Sequence, residues 1–167
     1  YIFVIVKVSI KNIKRVTVWR VVWDDEIQTV FFLTMVTIFS EITEVENPFY
    51  KEINEVLLSF KDGSNRHKID AIRNENKKEK QSYLKSKLSS VCFSGEFSRR
   101  AAKNIIKHSG FACLDFDDLP SFDDAVCLRD SLQDNEYIYS AFISPSGNGV
   151  KAIVKIPPEI ENHKKYY

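Results

Sequence analysis

From residue 36 onward, the apolar positions alternate between two periods. Residues 36–39 (Val-Thr-Ile-Phe) predict a short strand. Asn47 and Pro48 predict the start of a helix, Asn as its cap and Pro at its first position. Ile53, Val56, Leu57 and Phe60 recur at helical spacing, and Gly63 closes that helix. A second helix is expected from Ser64 or Asn65 to about Asn74, with Ile69 and Ile72 inward. Residues 75–88 are polar and lysine-rich, anchored by Tyr83, Leu84 and Leu88. Residues 89–93 predict a strand and Ser94-Gly95 a turn. Residues 97–107 predict a helix, with Phe97, Ala101 and Ile105 as its buried stripe, Ala102 and Ile106 beside them, and Gly110 as the left-handed residue after it.

The segment 111–117, Phe-Ala-Cys-Leu-Asp-Phe-Asp, predicts a strand that runs from apolar residues into carboxylates. Ser121 caps the next helix, with Asp124 three residues on. Phe122, Ala125, Val126, Arg129 and Leu132 share its face. Asp134-Asn135 turns the chain. Residues 137–144 and 150–156 then form two strands around the loop Pro145-Ser146-Gly147-Asn148-Gly149, and Pro157-Pro158 stops the second. Residues 161–167 read as the first turns of a further helix. The order helix, strand, helix, strand, strand predicts an α+β fold. Its antiparallel sheet would carry helices on one face, close to half of a ferredoxin-like or RRM-like unit.

Composition adds little to this. The chain has 167 residues, 44% apolar and 28% charged, with a net charge of +1 that excludes a uniformly basic protein. Cys92, Cys113 and Cys127 show no metal-binding spacing and suit reduced, buried thiols of a cytoplasmic protein. His67, His108 and His163 have no partners at metal or triad spacing, and no nucleophile–base pair stands out. Residues 1–34 are rich in Val, Ile, Phe and Trp but are broken by Lys7, Lys11, Lys14, Arg15 and Arg20. No apolar run reaches the roughly 18–20 residues of a membrane span. Met35 is the only methionine. A natural start near it is expected, with 1–34 as upstream read-through or the tail of something else, and 35–167 as the domain; a β-rich segment native to the protein is the alternative.

Charge is unevenly distributed. Residues 66–107 hold twelve Lys/Arg against four Asp/Glu, a balance of +8; residues 115–136 hold eight Asp/Glu against one Arg, a balance of −7. Asp115 and Asp117, two apart on a strand, leave the same face. Like charges so close repel, and a divalent cation such as Mg²⁺ or Mn²⁺ would reconcile them. A strand that simply ends in an acidic, helix-capping loop is the other reading. Ser146, Gly147 and Gly149, followed by Lys151, form a turn whose backbone amides and lysine suit an anion; an ordinary hairpin connection is the alternative. Arg99, Arg100, Lys103 and Lys107 fall off the apolar stripe of their expected helix and would meet phosphates there. Tyr137, Tyr139 and Phe142 are candidates for base stacking.

Taken together, "LSSVCFSGEFSRRAAKNIIKHSGFACLDFDDL" and "AFISPSGNGVKAIVKI" resemble the bacterial VirE N-terminal domain family. That family is similar in turn to the archaeo-eukaryotic primase (primase-polymerase) superfamily. The likeness spans about residues 36–167 and is specific over 93–156. It implies a primase-polymerase-like fold. Asp115 and Asp117 match the superfamily's metal-binding acidic motif; Ser146, Gly147, Gly149 and Lys151 match its nucleotide-phosphate turn. Lys151 stands where the superfamily has His. A third carboxylate would fall past Tyr167, which implies an incomplete catalytic module.

The resemblance further implies two-metal nucleotidyl transfer to a 3′-hydroxyl on a single-stranded template, with nucleoside triphosphates as substrates. The setting would be mobile-element or phage DNA replication, with a helicase-like region or subunit as partner and no membrane. A non-catalytic single-stranded DNA-binding module of the same fold, and a metal-dependent phosphohydrolase or nuclease, are the competing readings.

Overall fold

Strand β4 (Met35–Phe39) is the most deeply buried segment: Val36, Thr37 and Phe39 are wholly inaccessible and Ile38 nearly so. Apolar residues at consecutive positions belong to a strand covered on both faces. It pairs antiparallel with β5 (Phe49–Glu52) on one side and β6 (Ser90–Cys92) on the other. Thr37 is the polar exception in this core. Its hydroxyl donates to the Gly95 carbonyl and accepts the Phe97 amide, both at 2.8 Å. It thereby ties β4 to β7 (Gly95–Phe97).

The computed structural model describes residues 4–10, 13–23, 26–30 and 33–161. The chain forms two compact units, residues 1–33 and 34–167. In the first, β1 (Val4–Ile10), β2 (Ile13–Trp23) and β3 (Glu26–Val30) form an antiparallel sheet in that order. The second unit is α+β, with antiparallel sheets and four α-helices among its described residues. No helix among the described residues is long and apolar enough to cross a membrane. The helix expected over 161–167, and with it His163, falls past Glu161 outside the described residues.

One expected helix starts later than predicted, behind a strand, and another is replaced. The first was to begin at Asn47-Pro48. Instead Asn47 takes a left-handed conformation (φ 55°), and residues 49–52 pair with β4, which satisfies their amides before any helix starts. Helix α1 (Ile53–Lys61) begins only there, capped by the Glu52 carboxylate, which accepts the Asn54 and Glu55 amides. Gly63 (φ 79°) ends it as expected. Helices α2 (Arg66–Arg73) and α3 (Lys78–Ser86) follow; Ile72 is fully buried, whereas Tyr83, an expected anchor, is 61% exposed.

The second correction concerns residues 97–107. These form the end of β7, a bend, a 3-10 turn (Ala102–Asn104) and β8 (Ile105–His108), which pairs back onto β7. Gly95 allows this pairing: a Cβ there would lie 2.0 Å from the Lys107 carbonyl oxygen. The adjacent β-branched Ile105 and Ile106 favour the extended chain. His108, expected at a helix end, is buried at the end of β8, and its Nδ1 accepts the Gly110 amide.

Strands β9 (Phe111–Phe116), β10 (Ile138–Ile143) and β11 (Val150–Lys155) form the sheet that carries the candidate chemistry, in the order β10-β11-β9. Helix α4 (Phe122–Leu132) packs across β10 and β11, with fully buried Ala125. It is capped by Ser121, whose hydroxyl accepts the Asp124 amide, as the sequence predicts. On the opposite face Phe111, Ile153, Cys113, Tyr139 and Phe142 join Val36, Ile38, Ile53, Val56 and Phe93 in one apolar cluster. The sheet is therefore covered on both faces rather than by helices on one.

The three cysteines are free, and Cys127 is exposed rather than buried as expected. Replacing Thr37 with Val keeps the shape but strands the Gly95 carbonyl and the Phe97 amide. Loss of two buried bonds should cost about 2–3 kcal/mol in denaturant unfolding, and Thr37→Ser should recover most of it.

Candidate functional site

Strand β9 leaves the core as it runs. Phe111 and Ala112 are buried, Cys113 is half-buried, and Leu114 and Asp115 are exposed. This explains the apolar run that ends in acids: only its first half lies under the second sheet. The β9–β11 register sets Cys113 opposite Ile153 and Asp115 opposite Lys151. Directly opposed residues share a face, and the Lys151 amino group bonds the Asp115 carboxylate. On the other side of β11, Phe142 of β10 faces Lys151. One row across the sheet therefore reads Phe142, Lys151, Asp115.

Asp117 lies one residue past β9. Continued by one pair, the register sets it opposite Gly149. A Cβ at Gly149 would lie 2.8 Å from the Phe116 carbonyl oxygen and 3.1 Å from both Asp117 Oδ1 and Ser144 Oγ. Glycine is thus what lets the Asp117 carboxylate close onto the loop. The chain then turns through Asp118 (φ 56°), and the Leu119 amide donates to the Asn148 carbonyl at 2.9 Å, joining the acidic segment to the loop. The loop is closed on itself by Ser144 N–H to Gly149 O (2.8 Å) and Gly147 N–H to Ser144 O (3.0 Å). The Ser144 and Ser146 hydroxyls lie 3.1 Å apart. Asp115, Asp117, Ser146, Gly147, Gly149 and Lys151 are thereby brought to one end of the sheet.

Sequence reasoning missed two residues here. Arg73, the last residue of α2, donates Nε to the Pro145 carbonyl and a terminal nitrogen to the Ser144 carbonyl, both at 3.3 Å. Its guanidinium also lies 5.2 Å from the centre of the Phe122 ring. Phe122, expected on the core face of α4, is 47% exposed and forms the other wall of this clamp, where Gly147 fits without a side chain. Because a peptide is planar and trans, a Pro145 carbonyl turned to Arg73 turns the Ser146 amide the opposite way. A single arginine in a lysine-rich stretch gives no sequence signal for this role.

The other expected cations are not gathered here. Arg99 pairs with Glu46 at 3.0 Å; Arg100 bonds Ser90 and lies over the Phe39 ring; Lys103 and Lys107 are exposed on the 3-10 turn and on β8. With no helix over 97–107, these four do not share a helical face. Burial pushes the Cys113 thiol up to about 11; nearby Lys151 opposes the rise and Asp115 adds to it. A thiol raised in this way carries little thiolate at neutral pH, and thiolate is the reactive form.

Among the described residues no group of three or more His, Cys, Asp or Glu side chains is placed to hold a metal. Two carboxylates nonetheless fit Mg²⁺ or Mn²⁺, which take one or two carboxylates with water and substrate phosphates completing the shell. Asp115 would then be shared with Lys151.

Arg73→Ala should release the loop without unfolding the protein. Loss of one exposed and one partly buried bond predicts about three- to tenfold faster hydrogen exchange at the Gly147 amide, with global stability within about 1.5 kcal/mol.

No curated protein matches the chain, and neither does any solved structure. The family model described as BT4734-like, N-terminal domain matches residues 83–166, half of the chain and the part that holds both the acidic strand end and the Ser-Gly loop. The chain belongs to the BT4734-like N-terminal domain family.

Proposed function

We propose that this unit is a primase-polymerase-like nucleotidyltransferase domain that handles nucleoside triphosphates on single-stranded nucleic acid. The observation that carries the reading is the juxtaposition of Asp115 and Asp117 with Lys151 and the Ser146–Gly149 turn across one antiparallel pair. Carboxylates for a divalent cation and donors for phosphate are the two parts phosphoryl transfer requires side by side. The likeness of these motifs to the VirE N-terminal domain and to the primase superfamily supports the same reading. It also suggests a cytoplasmic replication protein of a mobile element or phage, working with a helicase-like partner.

In this reading Asp115 and Asp117 offer oxygen ligands. Lys151, as a point charge, and the outward-turned Ser146 amide bind the triphosphate. A Mg²⁺ or Mn²⁺ ion held by the two carboxylates would supply activation of a 3′-hydroxyl and neutralisation of the leaving pyrophosphate. Arg73 and Phe122 keep the turn in shape from behind.

A second reading, a non-catalytic single-strand-binding module, is favoured by the ion pair itself, since Lys151 neutralises Asp115 without any metal.

The two readings separate in a nucleotide-incorporation assay with Mn²⁺ on primed and unprimed single-stranded templates. The catalytic reading expects synthesis that falls at least about 100-fold in Asp115→Asn/Asp117→Asn, in line with the several kcal/mol a metal supplies. Synthesis that survives the double substitution defeats it. No synthesis, combined with single-strand binding that weakens steeply with salt, establishes the second reading; cleavage of the strand instead of extension would indicate a nuclease. Chelation with EDTA separates the parts: synthesis should stop, while single-strand binding through the lysines persists.

A further inference from the structure

We infer that Phe60, on the last turn of α1, is the platform on which a nucleobase stacks beside this site. The inference rests on the nucleotide reading above. Helix α1 turns one stripe toward the core. Ile53 and Val56 on that stripe are 1% and 3% exposed and Leu57 is partly buried, but Phe60, the last residue of the stripe, is 42% exposed. The stripe outruns the core it was built to cover. The Phe60 ring does not stand alone: its centre is 5.0 Å from that of Phe142, tilted by 59°, and Phe142 lies 6.2 Å from buried Phe93. Three rings thus step outward from the core, and Phe60 is the outermost.

The position of this stack gives it chemical meaning. Phe142 is the register partner of Lys151, which is the partner of Asp115. The row therefore runs Phe142, Lys151, Asp115, and the exposed Phe60 ring packs against its aromatic end. Neighbouring strands are about 4.8 Å apart, so along the row Phe142 is one spacing from Lys151 and about 10 Å from Asp115, while the Phe60 ring centre lies 5.0 Å from that of Phe142; a nucleotide has a comparable reach from its base to its terminal phosphates. A scattered apolar side chain on a surface needs no explanation. An exposed ring packed on a second ring, which itself stands one strand from a phosphate-compatible lysine, matches the two-part chemistry of a nucleotide: a π-face and an anion. Of the other aromatic candidates, Tyr137 is 65% exposed but lies beside Lys155, whose amide its carbonyl accepts, at the opposite end of β11 from Lys151, and two are committed elsewhere. The Tyr139 hydroxyl donates to Asn54 at 2.6 Å and its ring packs on Phe111, while Phe142 is enclosed between Phe60 and Phe93.

The base could come from a free nucleoside triphosphate or from a single strand, and the test distinguishes the two. Affinities of the full chain for dTTP, for a twelve-residue oligo(dT) and for inorganic tripolyphosphate are measured by calorimetry. The proteins compared are wild type, Phe60→Ala, Phe60→Leu, Phe60→Trp and Lys151→Ala. Thermal unfolding checks that each is folded. Stacking expects Phe60→Ala and Phe60→Leu to lose about tenfold in affinity for a base-bearing probe. Phe60→Trp should keep it, with quenching of its fluorescence, and tripolyphosphate affinity should be the same in all Phe60 variants. A loss confined to dTTP assigns the incoming nucleotide; a loss confined to oligo(dT) assigns the strand. Unchanged affinities in Phe60→Ala, alongside a loss in Lys151→Ala, overturn the platform and leave the nucleotide site standing. Phe60 variants that lose tripolyphosphate as much as the base-bearing probes, or a Phe60→Leu that keeps wild-type affinity, also overturn it, since either shows only a packing role. A wild type that binds none of the three probes removes the nucleotide reading and the platform with it.

Discussion

The antiparallel register of β9 on β11 is the constraint on which the site depends. Ile153 is wholly inaccessible and lies opposite Cys113; both belong to the cluster that joins the two sheets. Side chains alternate with a period of two, so a slip of one residue would turn Ile153 out of this cluster toward the face that α4 covers, where the small Ala152 is already buried. Burying a side chain of that size is worth about 1.5–3 kcal/mol, enough to hold the pairing. Once Ile153 faces Cys113, the next row on that face must be Lys151 with Asp115, and the following one Gly149 with Asp117. The core thus sets the position of the charged rows without contributing an atom to them.

The ion pair within that arrangement is inexpensive to exchange. Lys151 and Asp115 keep 31% and 43% of their side-chain surface in contact with solvent. Ion pairs this accessible contribute about 0–1 kcal/mol. A ligand that offers Lys151 a phosphate and Asp115 a cation has little to displace. The Ser-Gly loop behaves differently. It is held by its own backbone bonds, by the Leu119 amide and by Arg73, so its amides are oriented before any anion arrives. Preorganised backbone beside a readily rearranged salt bridge is a workable division between shape and charge.

How much of this could be read from the sequence depended on how local the cause was. The Ser121 cap, the left-handed Gly63 and the strands from 111 to 155 follow from neighbours a few residues apart, and they stand where expected. The helix over 97–107 failed because its competitor was distant in kind: a hairpin partner, made available by a glycine that lets Lys107 approach at contact distance. The expected start of α1 at Asn47 failed for the same reason, since pairing with β4 claims residues 49–52 and the helix begins only at Ile53. The pairing of Lys151 with Asp115 links residues 36 apart in sequence. The clamp of Arg73 on the loop crosses 71 and 72 positions. No periodicity reports contacts of that kind.

The division of the site along the chain follows the same logic. Residues 83–166, the part matched by the family, contain the acids, the loop and Lys151. Arg73 and Phe60 lie before that stretch, on α2 and α1. Strand register alone suffices to bring the acids to the lysine, because β9 and β11 are both inside the matched part. It cannot supply the wall behind the loop or the ring beside Phe142. Those come from helices: α1 is set against the β4 sheet through Ile53 and Val56, and α2 is anchored by fully buried Ile72. The charged centre is therefore a property of one sheet, whereas its shape and its aromatic border belong to the packing of the whole unit from residue 34 onward.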